Sequence, residues 1–246
     1  MRDRIMRAAG AAICAMVAFM PVSALAFDVN KASSNFDLVS LSDAELSARS
    51  LKTVDMGNVE LTSGHIVAAD PLAQPDRPAL ARTVPAGDYP VRLYEAFGRV
   101  AAASMRFGEG KPDHWELATV PGQDVATLKD DEIFGYPVDA GLGSYMDADT
   151  LDLIGEREQQ VQTQKPDSDA NYYNDVLAPE LDANKGVYAL HRPMAGKKGN
   201  VAIFWSGSGD GFYPVFWGMD KDEHPLVLLT DFQVIENADG RRKPNL

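Results

Sequence analysis

Trp205-Ser206-Gly207-Ser208-Gly209-Asp210-Gly211-Phe212-Tyr213-Pro214-Val215-Phe216-Trp217-Gly218 is the stretch on which the reading of this chain turns. Small and acidic residues from Ser206 to Gly211 separate two apolar runs rich in aromatics. Glycine enters positive φ without a steric penalty, so the backbone is expected to turn sharply here, between strands. The flanking runs, residues 200–205 and 212–217, carry the β-branched and aromatic side chains of buried, central strands.

The same patterning extends outward. Residues 89–94 and 99–107 alternate and are joined at Glu95-Ala96-Phe97-Gly98, which reads as a hairpin. Further strands are predicted at 114–120 around Trp115, at 186–192, at 225–235, and at His65-Ile66-Val67-Ala68-Ala69, closed by Asp70-Pro71. Ser42-Asp43-Ala44-Glu45 has capping-box spacing and predicts a short helix over 43–51. Leu151, Ile154, Glu158 and Val161 follow helical spacing, with Asp149 as the cap, and predict a helix over 149–162. A second helix is predicted over 171–181, ended by Pro179 or shortly after, with 163–169 as a polar link. The class that follows is α+β: mainly antiparallel β-sheet, sandwich-like, with two or three short helices. One domain spans 63–236, after a helix and lead-in over 27–62 and before a flexible tail over 237–246.

The first 26 residues read as an export signal. Arg2, Arg4 and Arg7 form a basic start, residues 8–22 are apolar, and Ser23-Ala24-Leu25-Ala26 offers a small-residue cleavage site. The signal holds Cys14, the only cysteine, so the mature chain has no thiol for a disulfide or a nucleophile. The expected location is periplasmic or secreted. The formal charge is −13, and removing the three arginines and one aspartate of the leader leaves 20 basic against 35 acidic residues. Phosphate would repel such a chain, which argues against nucleic acid and anionic membrane as partners. A cationic ligand, a basic partner protein or a divalent ion suits it better. No segment after the leader approaches the ~18 apolar residues of a membrane span.

Known catalytic spacings fail in the Ser206–Gly211 loop. A nucleophile elbow needs Gly-x-Ser-x-Gly, and here Gly209 holds the central place. The glycines also miss Gly-x-Gly-x-x-Gly, and no Gly-Lys-Ser/Thr exists for a phosphate loop. Five aspartates end apolar runs: Asp70, Asp139, Asp147, Asp210 and Asp231. If the sheet gathers those ends, they could hold a hard cation or form an acid/base pair; otherwise each caps its own turn. Asp167-Ser168-Asp169 begins like a calcium loop but lacks its glycine and its closing glutamate. His65, His114, His191 and His224 are scattered, without metal spacing. Trp115, Trp205, Trp217, Phe212 and Tyr213 read as core filler or as a stacking platform.

Four segments in order resemble a bacterial family, domain of unknown function 4241. They are Gly64-His65-Ile66-Val67-Ala68-Ala69-Asp70-Pro71-Leu72, Val84-Pro85-Ala86-Gly87-Asp88-Tyr89-Pro90-Val91, Phe134-Gly135-Tyr136-Pro137-Val138-Asp139-Ala140-Gly141-Leu142-Gly143, and the Ser206-to-Gly218 stretch, with Thr230-Asp231-Phe232 closing the set. The resemblance covers about residues 60–235. Ser208 stands where the family pattern places an aromatic, usually Trp. The resemblance implies a shared fold and supplies no activity.

The function expected from these readings is a non-catalytic protein- or ligand-binding module of the cell envelope, one version being an immunity or inhibitor protein. Its binding candidates are Ser206, Ser208, Asp210, Tyr213, Asp70 and Asp231. The alternative is a carboxylate- or metal-dependent hydrolase using Asp139 and Asp210. No cofactor is expected; were calcium or magnesium to bind, Asp139, Asp147 and Asp210 would be the ligands.

Overall fold

Runs that alternate in the sequence pair in the fold. In the computed structural model, which describes residues 27–33, 35–129, 132–165 and 170–235, β3 (Gly87–Ala96) and β4 (Arg99–Arg106) form the predicted hairpin. Phe97 and Gly98 close it with φ of 54° and 74°, a two-residue turn whose twist matches that of the strands. The export signal, the 237–246 tail and Asp167-Ser168-Asp169 lie outside the described residues.

This hairpin sits in a six-stranded antiparallel sheet with β1 (Lys52–Leu61), β5 (His114–Leu117), β11 (Val215–Met219) and β12 (Pro225–Asp231), in the order β1-β3-β4-β12-β11-β5. A second antiparallel sheet holds β2 (Ile66–Ala69), β7 (Leu142–Asp147), β8 (Tyr188–His191) and β9 (Val201–Trp205), in the order β2-β7-β9-β8. A short ladder joins β6 (Tyr136–Val138) to β10 (Gly211–Tyr213). The runs flanking the glycine loop do supply interior strands, β9 and β11. Residues 212–217 are nevertheless not one strand. Pro214, with no N–H to give a ladder, divides them between the short ladder and the large sheet.

The two large sheets face each other. Leu93, Met105 and Leu228 from one meet Tyr145 and Phe204 from the other in a single apolar core. Tyr145 crosses the gap: its hydroxyl donates to the Ala103 carbonyl at 2.9 Å and lies 2.7 Å from the Thr230 hydroxyl. Val67, Met146, Val201 and Ile203 face away from this core and pack with Leu151 and Ile154 of α3 (Ala148–Gln164) and Leu181 of α4 (Ala178–Ala183); two shorter helices, α1 (Val29–Ala32) and α2 (Asp43–Ala48), precede the sheets. The architecture is an α+β sandwich with helices over its smaller sheet. No helix among the described residues is long and apolar enough to cross a membrane.

Several elements differ in detail from the sequence reading. Ser42 and Glu45 form the expected reciprocal cap, but α2 ends at Ala48 because Ser50 adopts φ 63°. Residues 52–61, read as lead-in, are an edge strand of the large sheet; polar residues and a bulge between Asp55 and Gly57 hide it. The cap of α3 is Asp147, which accepts from the Asp149 amide, rather than Asp149 itself, and α3 runs for 17 residues. The second helix begins as a π-helical turn, Tyr173–Leu177, that runs directly into α4, and Pro179 lies in the first turn of α4 instead of ending the helix.

Candidate functional site

The glycine loop is held from within. The Ser206 side chain is buried and its hydroxyl donates to the Gly209 carbonyl at 2.9 Å. The Tyr213 hydroxyl donates to the same carbonyl at 2.9 Å, and burial, with Asp210 nearby, pushes that phenol above its usual range. Gly207 and Gly209 take φ of 61° and 102°. A Cβ on Gly207 would lie 2.7 Å from that of Phe232, so the loop backbone rests directly on the core. Ser208 and Asp210 are exposed on the outside of the turn.

The five aspartates separate into two kinds. Asp70, Asp147 and Asp231 are buried, and each accepts from its own set of donors. Asp70 takes the amides of Leu72, Asp139 and Ala140 at 3.1, 3.0 and 2.6 Å. Asp147 takes the amides of Ser63, Gly64 and Asp149 and the hydroxyls of Thr62 and Ser63. Asp231 takes the Ser33 hydroxyl at 2.6 Å and the Asn35 side-chain amide at 3.1 Å, tying the N-terminal segment to the end of β12, and also accepts from the Gln233 amide. These carboxylates fasten loops to strands. Asp139 and Asp210 are exposed neighbours just beyond the last rung of the short ladder, Val138 opposite Gly211. Asp139, Asp147 and Asp210 do not form a metal-holding group; among the described residues the one such group is His114, Glu116 and Glu223, at the far end of the large sheet. There the His114 Nε2 lies 3.9 Å from Glu116 and 3.5 Å from Glu223, and Arg82 already pairs with Glu116 at 2.6 Å.

The aromatic residues divide as well. Trp217 and Tyr213 are core, and Trp115 stacks on Phe36 at 4.5 Å. Trp205 and Phe212 are each 48% exposed. Trp205, at the end of β9, lines a cleft that the sequence reading did not identify. Phe97 at the β3–β4 turn (52% exposed) and Tyr173 on the π-helical turn (44% exposed) line it too, with the Ser206-to-Gly209 loop as one wall. This chamber encloses about 600 Å³. A second, of about 430 Å³, adjoins it through shared Gly98, Arg99 and Trp205, and is lined further by Glu95, Lys185 and Tyr188. Arg99 therefore lies at the waist between the chambers. Of its lining, the sequence pointed to Trp205, Ser206 and Ser208 as candidates; a further signal was Phe97, a bulky aromatic at a turn position that favours Asn, Asp or Gly.

The wall carrying Tyr173 is fixed from below. Tyr172 is buried, and its hydroxyl lies 2.5 Å from the His191 Nε2; the His191 Nδ1 lies 2.9 Å from the Glu180 carboxylate. With Nδ1–H donating to Glu180, Nε2 accepts from the phenol. Burial raises the Tyr172 hydroxyl well above its ordinary range, with the Glu180 charge adding to the effect. His191 thus clamps the helical wall to β8.

No curated protein and no solved structure matches this chain. The glycine loop, the short ladder and all but the last residue of β12 fall within a match to the family described as "Protein of unknown function (DUF4241)" over residues 59–230, and the chain belongs to that family.

Proposed function

We propose that this protein is an exported, non-catalytic binding module of the periplasm or the cell exterior, and that it recognises its partner in the cleft around Arg99 and Trp205. The observation that carries this reading is the meeting of three roughly half-exposed aromatic side chains with one arginine in a single cleft. Aromatic and arginine side chains give large contact area and directional bonding when a partner covers them. The basic, apolar leader supports export. A non-catalytic role is supported by the donors that occupy Asp70, Asp147 and Asp231 and by the Ser206 hydroxyl's bond to Gly209, since acid/base work needs a group within hydrogen-bond reach of a substrate.

A photo-crosslinking residue in place of Ser208, on the cleft rim, tests the proposal in cells making the full chain. The expected result is one discrete adduct that is lost in Trp205→Ala and kept in the double variant Asp139→Asn, Asp210→Asn. An adduct indifferent to Trp205→Ala, or none, would overturn the cleft as the recognition site.

A further inference from the structure

We infer that the ligand of this cleft is an acidic segment of a partner protein, whose Asp or Glu side chain docks on Arg99 while flanking apolar residues fill the two chambers. The inference rests on the proposed binding role of the cleft and names its ligand chemistry. Arg77, Arg106 and Arg157 bond at 2.6–3.2 Å to carbonyl or side-chain amide oxygens, and four other described arginines bond to a carboxylate. Arg49, Arg82, Arg92 and Arg192 all reach one, at 2.8, 2.6, 2.7 and 3.4 Å. Arg99 has no carboxylate partner among the described residues and makes one long contact, Nη1 to the Gly207 carbonyl at 3.4 Å. Among the described arginines it alone has no hydrogen bond of 3.2 Å or shorter. A guanidinium has five N–H donors in a planar fork that matches a carboxylate, and most of those of Arg99 have no partner among the described residues.

The surroundings select among anions. Glu95 and Lys185 both line the second chamber and offset each other in formal charge, which leaves Arg99 as the net charge of the cleft. One guanidinium in a protein of charge −13 suits a monoanion better than a phosphate dianion. Phe97 and Tyr173 line one chamber, Val54, Val100 and Val187 line the other, and Trp205 borders both beside Arg99. Two chambers flanking a central cation fit an extended chain with a carboxylate between two apolar side chains. The overall charge, which by itself favours a basic partner, acts at long range on encounter; the Arg99 contact acts at short range on the docked segment.

The test uses the full mature chain with acetyl-Phe-Glu-Phe-amide, acetyl-Phe-Gln-Phe-amide and acetyl-Phe-Lys-Phe-amide, followed by tryptophan fluorescence and calorimetry. The Glu peptide is expected to bind about tenfold more tightly than the Gln peptide. That preference should fall to about twofold or less in Arg99→Gln and be intermediate in Arg99→Lys, which keeps the charge without the fork. Trp205→Ala should weaken both the Glu and Gln peptides. Circular dichroism melts show that each variant is folded. Equal binding of Glu and Gln peptides, still dependent on Trp205, overturns the acidic ligand and leaves the cleft reading standing. A preference for the Lys peptide does the same. Binding of no peptide, or binding indifferent to Trp205→Ala, overturns the acidic-peptide inference, and the Ser208 crosslink then decides the cleft reading separately.

Discussion

Phe97 shows most directly how a single residue trades stability for an exposed surface. It holds φ 54° at a hairpin turn while about half of its side chain faces solvent. A left-handed backbone costs an L-residue with a Cβ about 1–2 kcal/mol, and Asn bears that cost best after Gly. Phe97→Asn is therefore expected to stabilise the protein by about 1 kcal/mol, raising Tm by about 2–4 °C, and to weaken peptide binding. A variant that gained stability and bound as tightly as the native chain would show that Phe97 has no part in recognition. Asp147 illustrates the opposite case. Its buried carboxylate accepts from donors on two segments of chain, residues 62–64 and the first turn of α3; Asp147→Ala would strand those donors and is expected to cost about 3–5 kcal/mol in a urea melt. A cost below about 1 kcal/mol would remove the anchoring role argued for it.

At the scale of elements, the sandwich depends on how closely its strands approach. Gly143 in β7 faces the gap between sheets, and a Cβ there would lie 2.6 Å from the Tyr136 hydroxyl and 2.8 Å from the Phe204 ring. Gly143→Ala is expected to destabilise by about 1–3 kcal/mol, because three packed rings would have to shift; chemical denaturation measures it. The π-helical turn and α4 form a second case. Tyr172→Phe would leave the buried His191 Nε2 without its partner and is expected to cost about 1–3 kcal/mol. Amide exchange should quicken over residues 173–183 before it does in β9. Uniform exchange across both would mean that the clamp serves the whole fold and not this wall.

For the molecule as a whole, the ionisable groups set a window of pH stability with two different limits. Burial raises the hydroxyls of Tyr94, Tyr136, Tyr145 and Tyr172. A phenol whose folded pKa lies above its unfolded value stabilises the fold fully below about pH 10. That contribution is lost as pH rises toward the folded value, since the unfolded chain then releases protons more readily. Tyrosinate absorbance and loss of circular dichroism should therefore rise together above about pH 10. On the acid side, Glu60 is held below the usual carboxylate range, first by the Gly199 amide and then by Arg192. Asp220 is held down first by the His224 amide. Their stabilisation is present above about pH 4 and disappears as pH falls through the folded values. Phenols that titrated near pH 10 while the chain stayed folded would contradict the burial described for them.

Local chemistry made much of this legible in advance. The hairpin at Phe97-Gly98, the capping box at Ser42, the interior strands β9 and β11 and the α+β sandwich follow from alternation and turn residues, which act within a few residues along the chain. By itself the sequence determined the class, the family segments and the glycine turn at Gly207 and Gly209. Only the tertiary structure decided that residues 52–61 complete a sheet, because an edge strand is stabilised by its neighbour β3 and not by its own pattern. The same holds for the cleft. Phe97, Arg99, Tyr173 and Trp205 come from a hairpin turn, a strand start, a π-helical turn and a strand end. No spacing rule links them, because what brings them together is the packing of two sheets and a helical layer.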